Sequence, residues 1–107
     1  MGCNCASKDD WKAVLIGHAA DSPRLLVTGT ANCTTTGYKN VRLEALRPQG
    51  INPRILLLEL KWEAPTGPAG DIIAPHAIKY EEHNASEYEE GDIVNRNHKK
   101  IKVTIVS

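Results

Sequence analysis

Three cysteines are the residues whose types and spacing could do chemistry. Cys3 and Cys5 stand in the opening "MGCNCASKDDW", and Cys33 lies in "ANCTTTG". A Cys-x-Cys pair offers two soft thiolates, which suit Cu(I) or Zn(II). Cys33, or one of His18, His76, His83 and His98, would complete such a metal site. A structural zinc site usually shows two spaced pairs, and one pair is present here. A bond between Cys3 and Cys5 would close a very small ring, against the geometry a disulfide prefers. The remaining reading of the stretch is a plain N-terminal tail with reduced thiols.

The same opening resembles the acylated heads of Src-family kinases and of some G-protein α subunits. The likeness rests on Gly2 after the initiator Met, with Cys3 and Cys5 close behind it. It implies myristate on Gly2 and palmitate on Cys3 and Cys5. One acyl chain holds a membrane weakly, and a second makes the anchor stable. Ala6 stands where the acylation pattern prefers Ser or Thr. The rest of the sequence resembles neither a kinase nor a G protein.

Other chemistries find less support. Nucleophilic catalysis needs a thiol or hydroxyl with a base and an orienting group. No motif marks Cys33 as activated, no G-x-S-x-G occurs, and the histidines are single and scattered. Phosphate binding lacks the G-x-x-x-x-G-K loop. The stretch 81–92 carries Glu81, Glu82, Glu87, Glu89, Glu90 and Asp92, hard oxygen ligands of the kind Ca²⁺ takes. It lacks the Asp/Asn alternation of an EF-hand loop and suits a solvated face. The expectation is a chain without catalytic residues and without a cofactor.

Charge narrows the partners. Thirteen basic residues balance thirteen acidic ones. A net charge of zero removes the electrostatic footprint of a nucleic-acid binder. It also gives no polybasic attraction to anionic lipid, so a membrane becomes a partner only if the N-terminus is acylated. Residues 3–12 are polar where a secretory signal would be apolar. The expected compartment is the cytoplasm, where thiols stay reduced.

The elements that must position these residues read as strands. Phe is absent and five aromatics occur, so the core rests on Leu, Ile and Val. Short apolar runs cover residues 11–19, 24–31, 38–46, 54–64, 71–80 and 99–106, separated by turn residues. In the third run, Val41, Leu43 and Ala45 alternate with Arg42 and Glu44. A helix capped by Asn40 is the rival there, and the period of two favours a strand. In the fourth run, Leu56, Leu58, Leu60 and Trp62 share one apolar face. The opposite face starts with Ile55 and Leu57 and ends charged, so a neighbour should cover its first half. Pro75 demotes the fifth run to an edge or bulged strand. In the last run Ile101, Val103 and Ile105 face inward. The acidic stretch and this basic strand should lie close and neutralise each other. Tyr88, just before a late strand, is placed for a tyrosine corner.

Together these runs predict an all-β fold: an antiparallel β-sandwich of six or seven strands with immunoglobulin-like Greek-key connections. A small β-barrel is the alternative. Residues 1–10 form a flexible tail and residues 11–107 one sandwich domain. The expected function is a non-catalytic binding or interaction domain with a protein partner, as a monomer or weak homodimer. The alternatives are a thiol-based metal-binding protein using Cys3, Cys5 and Cys33, and a lipid-anchored module acylated at Gly2.

Overall fold

The computed structural model describes residues 3–5, 10–17, 22–34, 37–65, 67, 73–83 and 85–106. All regular structure among them is strand. β1 spans Cys3–Cys5, β2 Lys12–Ile16, β3 Arg24–Cys33 and β4 Lys39–Ala45. β5 spans Ile55–Glu63, β6 Ala74–His83, β7 Glu90–Ile93 and β8 Lys99–Val106. No helix among the described residues is long and apolar enough to cross a membrane.

The strands form one curled, mixed sheet. β3 runs between β6 on one flank and β1 with β2 on the other. β8 joins the two halves by changing partners along its length. Its first half, Lys99 to Lys102, pairs antiparallel with β7. Its second half, Val103 to Val106, pairs parallel with β2. Beyond β7 come β5, parallel to it, and then β4, antiparallel to β5. The curl brings β4 close to β6 and β1 close to β5, although neither couple shares a ladder. Two parallel pairings, β2 with β8 and β5 with β7, make the sheet mixed where an antiparallel one was expected.

Alternation decides which side chains fill the curl, because successive residues of a strand point to opposite faces. Ala13 and Leu15 of β2 lie inward, opposite Val27 and Leu25 of β3. Leu56, Leu58 and Leu60 of β5 are fully buried. Trp62 continues that face, half-buried, with Tyr38 edge-on at 6.5 Å and the Arg96 guanidinium 4.6 Å over its ring. Such a cation over an indole adds about 0.5–2 kcal/mol. Ile101 and Val103 of β8 complete the interior. Ile105 does not follow them; it is 54% exposed. The strand leaves β7 after Lys102, so its last residues have a neighbour on one flank only.

Trp11 enters the core through Gly29. A Cβ on Gly29 would fall inside the Trp11 indole, so β3 needs a residue without a side chain there. Asp10 ties the same place from outside. Its carboxylate accepts from the Thr30 amide at 3.2 Å and the Thr30 hydroxyl at 2.5 Å.

Two strands lie where the sequence pattern shows none. Within the expected tail, Cys3–Cys5 pairs with β3 as β1. Within the acidic stretch, β6 continues to His83 and Glu90–Ile93 forms β7. Glu90 faces Lys102 and Asp92 faces Lys100 across the β7–β8 ladder, so the acidic and basic segments do meet. Asn40 caps no helix. It sits at positive φ where the β4–β5 register shifts, a conformation Asn tolerates. The outward Leu57 is half-covered, with Gly50 packed near it.

Candidate functional site

Curling without closure leaves a seam between β4 and β6. Among the described residues β4 pairs only with β5, and β6 only with β3. Each therefore turns an unpaired edge toward the other. A cleft of about 450 Å³ opens there, with Leu56 in its lining and Ala45, Arg47, Gln49, Tyr80 and Tyr88 around it.

Its wall on the β6 side follows from the period of two. Ile78, Tyr80 and Glu82 continue one inward face, opposite Gly29, Val27 and Leu25 of β3. Glu82 therefore turns its carboxylate into the curl. Tyr80 donates its hydroxyl to Oε1 of Glu82 at 2.7 Å, and Tyr88 donates to Oε2 at 2.8 Å. Both phenols are held above their ordinary range. Burial is the main cause, and the adjacent Glu82 carboxylate adds to it. Tyr88 is pushed up to about 12 and Tyr80 further still. At neutral pH both remain protonated and donate to Glu82. The Tyr88 hydroxyl goes to a side chain, whereas a tyrosine corner would bond the backbone.

The opposite wall is fixed by Gln49. Leu46 donates to the Leu57 carbonyl at 3.0 Å, extending the β4–β5 pairing by one residue. The chain then turns through a cis Arg47–Pro48 peptide. The Gln49 carboxamide takes over where the strand ends. Its Nε2 donates to Leu46 O at 2.6 Å and Leu57 O at 3.0 Å, and its Oε1 accepts from Leu57 N at 2.7 Å. Arg47 is carried on this clamped turn and is exposed. Its guanidinium makes no hydrogen bond or ion pair to the described residues. The cleft thus presents two strand edges, a carboxylate locked by two phenols and, at its rim, the exposed Arg47, whose charge acts on both phenols.

The cysteines lie at another place. Cys3 faces Cys33 directly across the β1–β3 ladder, and the two are joined by a disulfide. Reduced thiols were expected, and the metal reading drew on the three thiols, or on Cys3 and Cys5 with a histidine. The bond takes two of the thiols, because the antiparallel register sets the two sulfurs face to face. Cys5 keeps its thiol, half-buried, and burial pushes that thiol up. No group of three or more His, Cys, Asp or Glu among the described residues is placed to hold a metal. As acylation sites, Cys3 has no free sulfur in this state, and Gly2 lies outside the described residues.

The histidines are spread out. His18 lies outside the described residues. His76 is half-buried on β6 opposite Ala31 and makes no hydrogen bond to a described cysteine or carboxylate. His83 is 3.9 Å from Glu81. His98 meets Asp92 at 3.2 Å. Asp92 is buried, and its Oδ1 has no hydrogen-bond partner among the described residues. The carboxylates of the acidic stretch also disperse. Glu81 pairs with Arg24 at 3.3 Å, and Glu89 pairs with Arg54 at 2.8 Å.

Sequence reasoning missed the Tyr80–Glu82–Tyr88 arrangement by treating residues 81–92 as one solvated block. The signal was present, since the Ile78–Tyr80 alternation carries on to Glu82 without a break.

Comparison of the chain with protein-family models, with curated proteins and with solved structures finds no match in any of the three.

Proposed function

We propose that this chain is a non-catalytic binding domain that accepts an extended segment of a partner protein in the seam between β4 and β6. The observation that carries this reading is the pair of unpaired strand edges flanking one cleft. An extended peptide satisfies such an edge through its backbone, and pockets read its alternate side chains. Arg47 supplies the selectivity. Its exposed guanidinium favours a peptide carrying Asp or Glu, to which it can bond bidentately. Pro75 guards the other end of β6, which keeps pairing toward the Tyr80 end.

In the same reading the two halves that share β8 are the layers of an immunoglobulin-like sandwich. The approach of β4 to β6 and of β1 to β5 supports it. The Cys3–Cys33 disulfide favours an oxidising compartment over the cytoplasm.

Selection of binders from a displayed random-peptide library tests the proposal, followed by calorimetry on the selected peptide. Acidic sequences should be enriched, and Arg47→Glu should weaken binding at least tenfold. N-methylation of alternate peptide amides should abolish binding in one register and spare it in the other. Binding indifferent to both changes, or no enrichment at all, contradicts the reading.

A further inference from the structure

Cys3 and Cys5 occupy the same face of β1, two residues apart. Cys3 is opposite Cys33 and Cys5 is opposite Ala31, so Cys5 and Cys33 are diagonal neighbours. Diagonal neighbours on one face lie about 7 Å apart, against about 4 Å between the Cβ atoms of a disulfide. Sliding β1 by two residues would set Cys5 opposite Cys33. Because the side-chain period is two, such a slide keeps every residue on its own face. The chain has room for it. Between the Cys5–Ala31 and Lys12–Thr28 pairs the sequence has six residues on one side and two on the other. β1 is three residues long and, among the described residues, shares a ladder with β3 alone, so few hydrogen bonds must reform.

We propose that Cys3, Cys5 and Cys33 form an intramolecular thiol–disulfide exchange site in which Cys5 and Cys3 alternate as the partner of Cys33. The Cys5 thiolate attacks Sγ of Cys33. The Cys5–Cys33 bond forms as the Cys3–Cys33 bond breaks, and the electron pair leaves on Cys3 as a thiolate. Cys3 then takes up a proton from solvent, replacing the one Cys5 released. One disulfide and one thiol exist before and after, so no oxidant or reductant is consumed. Attack on Sγ of Cys3 is disfavoured by the very small ring it would close.

The exchange is slow at neutral pH and gated by base. Burial holds the Cys5 thiol in its protonated form and the Asp10 charge adds to this, while Lys99 and Arg96 oppose it. The thiolate fraction, and with it the rate, rises with pH until the thiol is fully ionised.

The wild-type protein provides the test. Incubate it at neutral pH and at about pH 9, where a far larger fraction of the thiol is ionised. Block free thiols with N-ethylmaleimide and map the adduct by peptide mass spectrometry. The adduct should lie on Cys5 alone at first and be shared with Cys3 after incubation at high pH. The rate should not depend on protein concentration. An adduct confined to Cys5 after prolonged incubation overturns the proposal, as does a rate proportional to concentration. Cys3→Ser adds a second measurement. On air oxidation it should lose the mass of two hydrogens as Cys5–Cys33 closes, and two persistent thiols in the folded variant would count against exchange.

Discussion

The side-chain amide of Asn95 pairs with both backbone groups of Leu60, donating to its carbonyl at 2.9 Å and accepting from its amide at 3.0 Å. One side chain thereby replaces a strand residue where β7 has ended. Gln49 does the same for Leu57 on the other flank of β5. β5 is thus completed by two carboxamides, one on each flank. Buried backbone groups left without a partner each cost about 1–3 kcal/mol. Asn95→Ala and Gln49→Ala should therefore each lower unfolding free energy by about 1–3 kcal/mol in urea titrations. A loss under about 0.5 kcal/mol, the range of ordinary surface substitutions, would show that water replaces the amide without penalty.

Gly29→Ala should be destabilising by about 1–3 kcal/mol, the usual range for overpacking. The new methyl displaces the Trp11 indole, so tryptophan emission should shift to the red. Reducing the indole in the double variant Gly29→Ala, Trp11→Leu should make the alanine better tolerated than it is beside Trp11. Equal losses in both backgrounds would mean that the clash is relieved elsewhere.

Alkaline pH should weaken the fold through the seam. Tyr88 has a folded-state pKa of about 12 against an ordinary value of 10.0. Tyr80 is raised further by the same causes, burial first and Glu82 next. A raised pKa means that the folded state holds the proton more tightly than the unfolded one. The stabilisation is complete below pH 10.0 and is lost as pH climbs through about 12. Tyr88→Phe should flatten part of that decline in stability-versus-pH curves. An unchanged slope would separate Tyr88 from it.

Much of this arrangement is legible in the sequence. Period-two alternation picks out Leu56, Leu58 and Leu60 and also Ile101 and Val103, and all five are buried. Pro75 marks β6 as an edge strand, and β6 is one. β7 escapes because Gly91 and Asp92 look like turn chemistry, yet both are buried between β5 and β8. β1 escapes because three residues with a polar centre carry no periodic signal. Its pairing is decided by β3, thirty residues away in the chain. The seam depends on Glu82 facing inward, a choice set by its partners Tyr80 and Tyr88 more than by its own polarity. Gln49 and Asn95 are invisible beforehand, since a loop amide gives no hint of which strand it completes.

Reducing the disulfide should cost about 2–4 kcal/mol, because Cys3–Cys33 closes a loop across a sequence separation of 30. Urea midpoints with and without reductant measure the difference. Cys33→Ala should remove the sensitivity to reductant. A midpoint that ignores reductant in the wild type would show that β1 adds little to the fold.

Backbone amide hydrogen exchange, with and without a selected acidic peptide, reaches the seam most directly. Bound peptide should slow exchange along one facing edge, within residues 39–45 of β4 or the Tyr80 end of β6, and leave β2 and β8 as they were. Protection that appears away from both edges, with those edges unchanged, would contradict strand addition at the seam.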